Sequence, residues 1–130
     1  MYTHGTFVWN ELSTPDVEKA KQFYSSTLGW VFEQFPMPVG EYWVAKVDDK
    51  YVGGVTTMEV GPIAGAKEPY WFPYIEVSDI DARIAEATKR GATVLRPAVD
   101  VPHVGRVAVL RDAAGASIGW MTSAKAAVPA

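Results

Sequence analysis

Thr14-Pro15-Asp16-Val17-Glu18 opens a stretch of helical pattern that ends at Leu28-Gly29-Trp30-Val31. The pattern returns in Val77-Ser78-Asp79-Ile80-Asp81, and this second stretch ends at Arg90-Gly91-Ala92-Thr93-Val94. The two aspartates are 63 positions apart, and later pairs repeat that spacing: Val44 with Val107, Asp49 with Asp112, and Met58 with Met121. A nearly constant offset over most of the chain indicates an internal duplication.

Each copy contains one amphipathic helix. The apolar faces are expected to hold Val17, Ala20, Tyr24 and Leu28 in the first helix, and Ile80, Ile84 and Ala87 in the second. Thr14 and Ser78 are predicted to cap the amino ends, and Gly29 and Gly91 to end the helices.

Short β-rich runs separated by turn signals surround both helices. They are 7–13, 30–35, 41–47 and 51–58 in the first copy, and 72–78, 93–97, 105–111 and 117–122 in the second. The order β-α-β-β-β, twice, predicts an α+β fold with mainly antiparallel strands, in which one helix covers the outer face of each sheet. We therefore expect two βαβββ modules whose curved mixed sheets enclose a cleft.

The domain organisation follows from the repeat. One domain is expected over residues 1–130, with module one at about 5–58 and module two at about 71–122. Residues 59–70, which are rich in Pro and Gly, are expected to link the modules, and residues 123–130 are expected to form a flexible tail.

Composition excludes several classes of function. The net charge is −3 and the basic residues are scattered, which argues against a nucleic-acid partner. The absence of cysteine excludes disulfides, thiolate metal sites and cysteine nucleophiles. Without a signal-like leader or an apolar run long enough to span a bilayer, a cytoplasmic protein without a membrane partner is expected.

Several motifs resemble the vicinal-oxygen-chelate superfamily, which includes glyoxalases, bleomycin-resistance proteins and dihydroxybiphenyl dioxygenases. The first half carries 9–16, Trp-Asn-Glu-Leu-Ser-Thr-Pro-Asp, and Phe23-Tyr24 followed by Leu28-Gly29-Trp30. The second half carries 74–81, Tyr-Ile-Glu-Val-Ser-Asp-Ile-Asp, and 105–112 with the following Gly115. The resemblance runs over nearly the whole chain and implies paired βαβββ modules, a small-molecule ligand and a homodimer.

The resemblance also locates four metal positions, on the first and last strands of each module. His, Gln or Glu hold a divalent ion there in metal-dependent relatives. In this chain the positions fall on Trp9, Thr56, Phe72 and Gly119, none of which is a good ligand. A slip of a residue or two would instead bring Glu11, Glu59 or Glu76 near the site. We therefore expect no metal and no other cofactor, with a divalent metal as the alternative.

Two residues are candidates for acid–base chemistry. Glu11 shares a strand face with Trp9 and could serve as a buried base, as a counter-charge for a cationic ligand, or only as an ion-pair partner of Arg106 or Lys46. His103 lies in a loop that borders the cleft in relatives, where it could be a general acid or base, a substrate contact, or an ordinary loop residue. The other histidine, His4, is expected to be an exposed terminal residue.

Strand alternation assigns side chains to the two faces. Leu12 and Ile75 suit the helix-covered core, which leaves Trp9, Glu11, Phe72 and Tyr74 facing the cleft. Further aromatic residues are expected to add to the cleft: Tyr42, Trp43, Trp71 and Trp120. An aromatic cavity with one or two carboxylates suits a flat or cationic organic molecule, although aromatic residues on strands more often belong to a core.

Two functions remain open at this stage. The first is a metal-free binding protein of the bleomycin-resistance type. The second is an enzyme of the same superfamily, a lyase, isomerase or dioxygenase, that uses a divalent metal or the Glu11 and His103 pair. Residues 115–119, Gly-Ala-Ser-Ile-Gly, fit a serine-nucleophile motif by accident, because no acid or histidine follows Ser117.

Overall fold

The structure, a computed structural model, describes residues 2–102 and 104–124. The chain divides into two compact units. Among the described residues, one unit holds Trp9–Phe72 and is called unit A, and the other holds residues 2–8, 73–102 and 104–124 and is called unit B.

The elements follow the predicted order. In the first half they are β1 (Phe7–Thr14), α1 (Val17–Leu28), β2 (Val31–Phe35), β3 (Tyr42–Val47) and β4 (Lys50–Thr57). In the second half they are β5 (Tyr70–Glu76), α2 (Ile80–Lys89), β6 (Thr93–Val101), β7 (Gly105–Arg111) and β8 (Ser117–Ser123). The order β-α-β-β-β, twice, is confirmed, and so is the α+β class.

The strand ladders repeat as well. Strands lie side by side in the order β2-β3-β4-β1 in unit A and β6-β7-β8-β5 in unit B. In each unit the two hairpin contacts are antiparallel, while the first strand runs parallel to the last, β1 with β4 and β5 with β8. Equal topology on both sides of the repeat is what a duplication produces.

The caps of the helices differ in part from those expected. Asp16, not Thr14, caps α1, since its Oδ1 accepts a hydrogen bond from the Lys19 N–H at 3.0 Å. Asp79, not Ser78, caps α2 in the same way. Gly29 ends α1 with φ 75°, the left-handed conformation that glycine adopts without a steric cost.

The repeat offset changes along the chain. Leu12 pairs with Val55 in unit A and Ile75 pairs with Trp120 in unit B, so the first strands match at 63 residues but the last strands at 65. Bulges in β6 account for two residues, because six steps from Thr93 to Val99 oppose only four steps of β7. Gly54, rather than Thr56, is therefore the counterpart of Gly119.

Each unit has its own small core between helix and sheet. In unit A, Leu12, Val17 and Val55 are buried together, and Tyr24, Phe32 and Trp43 pack against them. In unit B, Val77, Ile80 and Ala108 form the cluster, with Ile75, Ile84 and Trp120 around it. The predicted helix-facing positions of Leu12 and Ile75 are confirmed.

Two segments between and after the modules also differ from the expectation. The linker begins with a short 3-10 helix, Met58–Val60, and Tyr70 already belongs to β5. Ser123, which was assigned to the tail, is the last residue of β8, and residues 125–130 lie outside the described part. Neither helix of the described residues has the length and apolar character needed to cross a membrane.

The Asp16 cap predicts a measurable contribution to stability. Asp16→Ala removes the acceptor of the Lys19 N–H and should lower the free energy of unfolding by about 1 kcal/mol, whereas Asp16→Asn keeps an acceptor and should cost less. Urea denaturation of both variants measures the difference. Equal losses for the two variants would contradict the capping role.

Candidate functional site

In each unit the helix covers one surface of the sheet. We call the opposite surface the helix-free face. Because Leu12 packs against α1, alternation places Trp9, Glu11 and Ser13 on the helix-free face of unit A. Trp9 and Glu11 are half-buried, and Ser13 is fully buried. Trp9 and Glu11 thus share the face of β1 that strand alternation predicts for them.

Trp9 is held in place by a tyrosine from another strand. The Trp9 indole Nε1 donates a hydrogen bond to the Tyr42 hydroxyl at 3.0 Å. The Tyr42 ring lies over Gly54, where any Cβ would collide with the phenol. Gly54 is therefore the residue that gives Tyr42 its position, and Tyr42 in turn fixes the indole.

A second polar group lies farther along the same face. The Ser13 hydroxyl is buried and has no hydrogen-bond partner among the described residues. Gly61 lies close to it, and a Cβ on Gly61 would also come within 2.8 Å of the Tyr70 hydroxyl, which accepts the Ile63 N–H at 2.8 Å. Ser13 and Tyr70 were not among the site residues predicted from the sequence. The alternation that selected Glu11 could have found Ser13.

Unit B repeats the tyrosine-over-glycine arrangement. Tyr74 is buried opposite Gly119 in the parallel ladder, and its ring occupies the space that a Cβ on Gly119 would need. Here the tyrosine comes from the first strand, whereas in unit A Tyr42 comes from the third. The space beside the glycine is thus filled in both units by a tyrosine, but from a different strand in each.

Glu76 is a buried carboxylate on the Tyr74 side of β5. Both oxygens are engaged, because Ser123 donates its backbone N–H at 3.0 Å to one and its hydroxyl at 2.5 Å to the other. Burial, and after it the Glu76 charge, raises the pKa of Tyr2 above its ordinary value of 10.0. Glu76 ties β5 to the end of β8, which is a structural role.

The other predicted ligand-binding residues occupy different surroundings. Phe72 is buried, with its ring against Tyr70. Trp43 and Trp120 lie on the helix-covered faces, packed against the cores of units A and B respectively. Their expected position toward the cleft is wrong, because Trp43 pairs with Val55 and Trp120 with Ile75, and these partners face the helices.

The remaining aromatic and acid–base candidates lie in other parts of the chain. Trp71 is exposed and donates its indole N–H to the Tyr24 hydroxyl on α1, so it too lies with the helix. His4 Nδ1 accepts the Ser78 N–H at 2.9 Å. His103 lies outside the described residues. Arg106 and Lys46 form their ion pairs with aspartates and with Glu33.

The residues at the four expected metal positions do not fit a divalent ion. Trp9 and Phe72 offer no lone pair, the Thr56 hydroxyl donates to the Glu41 carbonyl, and Gly119 lies under Tyr74. Gly54, the counterpart of Gly119 by register, has no side chain either. In residues 2–102 and 104–124, no group of three or more His, Asp and Glu could hold a metal.

Comparison with known proteins gives one family. Residues 6–119 match the family model of the Glyoxalase/Bleomycin resistance protein/Dioxygenase superfamily. CFP32 of Mycobacterium tuberculosis, which carries the provisional name of a glyoxylase, is 35% identical over 94% of this chain and 48% of its own length. Anthracycline biosynthesis protein DauV of Streptomyces sp. is 36% identical over 86% of this chain and 39% of its own.

The chain thus spans about half the length, or less, of these two relatives. A glyoxylase-like domain-containing protein of Didymella fabae is 33% identical and is covered over 91% of its length. Among solved structures, methylmalonyl-CoA epimerase from M. tuberculosis has a TM-score of 0.68 at 17% identity, covering 95% of this chain and 93% of that one. At this identity the likeness concerns the fold.

The close approach of Tyr74 to Gly119 predicts a coupling between them. Gly119→Ala should lower the free energy of unfolding by about 1–3 kcal/mol, because the new methyl group meets the ring. In a Tyr74→Ala background the same substitution should cost much less. Thermal or urea unfolding of the four proteins in this double-mutant cycle measures the coupling, and additive losses would contradict the contact.

Proposed function

Because the chain belongs to the Glyoxalase/Bleomycin resistance protein/Dioxygenase superfamily, we propose that it binds a small aromatic or cationic organic molecule on its helix-free faces, without the family's metal. The binding surface in unit A consists of Trp9, Glu11 and Tyr42. We further propose a homodimer, on the resemblance to the superfamily alone, and a location in the cytoplasm.

The observation that carries the proposal is the pair of glycines under tyrosine rings. Gly54 and Gly119 stand at equivalent places on the last strands of their modules, where the resemblance implies a His, Gln or Glu ligand. Phenol rings occupy the adjacent space in both units. At two related positions, aromatic surface thus stands where the resemblance implies metal ligands.

The aromatic surface also has suitable chemistry for a flat ligand. The hydrogen bond to Tyr42 restrains the Trp9 indole, so stacking on it costs little further side-chain entropy. Glu11, two residues along the same face, would favour a positive charge near the indole. A flat ring with a cationic substituent satisfies both groups.

The relatives support this ligand class. Two of them are named as anthracycline biosynthesis proteins, DauV and DnrV, and anthracyclines contain fused, flat ring systems. Because this chain covers less than half of each, the support concerns the matched portion.

A neutral anthracycline aglycone is a suitable flat probe for this surface. Calorimetry should show saturable binding to the wild type, and Trp9→Ala should weaken it about tenfold through loss of stacking. Trp9→Phe, which keeps a ring, should lose less. Trp71→Phe on the helix side is the matched control and should bind as the wild type does. If Trp9→Ala binds as tightly as this control, Trp9 is not in the site.

Metal analysis tests the second part of the proposal. Protein purified without an affinity tag and dialysed against buffer should contain only substoichiometric Ni, Zn, Fe and Mn by mass spectrometry, because the described positions supply no suitable ligand set. One equivalent of any of these metals after dialysis would overturn the metal-free assignment. It would favour a metal-dependent lyase, isomerase or dioxygenase.

A further inference from the structure

Unit A carries a groove on the other side of its sheet, between α1 and strands β2 and β3. Trp30, Phe32 and Trp43 form its aromatic wall, and Glu18 and Lys21 of α1 contribute its charged groups. None of these residues belongs to the helix-free face.

An ammonium group already occupies part of this groove. Lys21 Nζ lies 3.1 Å from the centroid of the Trp43 ring and 2.9 Å from Glu18 Oε2. The Lys21 side chain is only 14% exposed. A cation over an indole with a carboxylate beside it is the arrangement that recognises organic ammonium ions, and here the chain's own lysine supplies the cation.

The repeat shows that the fold does not require this arrangement. The counterpart of Lys21 on α2 is Ile84, and the ladder counterpart of Trp43 is Ala108. Both counterparts belong to the apolar cluster of unit B. Unit A therefore has a charged lysine and a large indole where unit B has two aliphatic side chains, Ile84 and Ala108.

The charges favour a cationic occupant over an anionic one. Trp43 Nε1 donates to Glu41 Oε1 at 3.1 Å, so a second carboxylate lies at the edge of the same ring. One carboxylate, Glu18, pairs with the Lys21 ammonium and the other, Glu41, lies at the edge of the Trp43 ring, so the three side chains together carry a net negative charge. In unit B the counterpart of Glu41 is Arg106, which pairs with Asp81, the counterpart of Glu18.

We propose that this groove binds an organic ammonium ion, which takes the place of the Lys21 ammonium on Trp43. Lys21 is then an intramolecular competitor: its side chain leaves the ring when the ligand enters and returns when the ligand leaves. Glu18 provides the counter-charge in both states. Trp30 and Phe32 provide apolar surface for the substituents of the ligand.

Tetramethylammonium chloride is the probe, titrated into ¹⁵N-labelled protein with sodium chloride as the ionic-strength reference. The Trp43 indole N–H signal should shift saturably with tetramethylammonium and not with sodium. Lys21→Met removes the competing charge but keeps the apolar stem, and should tighten binding about tenfold. Glu18→Gln should weaken it severalfold.

Lys19→Met is the matched control, because it removes the same charge from an exposed position two residues away. Tightening in Lys21→Met that exceeds the control supports competition for the ring. Equal effects of the two lysine substitutions, or an unshifted Trp43 signal, would overturn the proposal and leave Lys21 a packing residue.

Folding of each variant is checked by its amide spectrum, and Glu18→Gln, a change at an exposed side chain, provides a second test if Lys21→Met is disturbed. Unaltered affinity in folded Glu18→Gln would likewise contradict the site. The experiment uses no residue of the helix-free face, so failure of the aglycone to bind there leaves this outcome independent.

Discussion

The contact between each helix and the sheet of its module determines which face of the sheet the neighbouring side chains occupy. Val17 of α1 packs on Leu12 and Val55, and Ile80 of α2 packs on Val77 and Ala108. Side chains alternate along a strand, so burying one residue against a helix assigns every neighbour on that strand to a face. Trp9, Glu11 and Ser13 lie away from α1 for this reason alone.

This constraint also explains which sequence predictions succeeded. The order of elements and the faces of β1 and β5 follow from local alternation and from the repeat of helix signals, both of which are visible in the sequence. The sheet face on which Trp43 lies could not be predicted in this way, because it depends on the pairing of β3 with β4. Pairing is a property of two strands, and a single strand with apolar residues on both faces does not reveal it.

The bulges of β6 account for another error. An alignment at a constant 63 residues equates Thr56 with Gly119, whereas the ladders equate Gly54 with it. Extra residues inside a bulge leave the topology intact but shift every later correspondence. The capping residue of α1 was predicted wrongly for a more local reason. Thr14 and Asp16 are both good capping residues, and only the backbone path selects Asp16.

The register observed in the ladders explains why Gly54 and Gly119 lie inside buried strands. A buried glycine inside a strand weakens the strand unless another group needs the space. At Gly54 that group is Tyr42 from β3, and at Gly119 it is Tyr74 from β5. Since different strands supply the two rings, the modules share the gap but not the residue that fills it. The two modules therefore place a glycine at the same position, but each fills the space beside it with a tyrosine from a different strand.

The duplication separates the residues that build the fold from those that do something else. Leu12 and Ile75, like Asp16 and Asp79, keep their roles in both units, so their roles are structural. Ser13 and Glu76 are counterparts that differ: Glu76 is satisfied by Ser123, while the Ser13 hydroxyl is buried without a partner among the described residues. A neutral hydroxyl and a carboxylate thus occupy the same buried position in the two modules. Function is therefore to be sought at counterpart positions that have the same backbone structure in both modules but carry different side chains. Such positions lie on the helix-free face and in the groove beside α1.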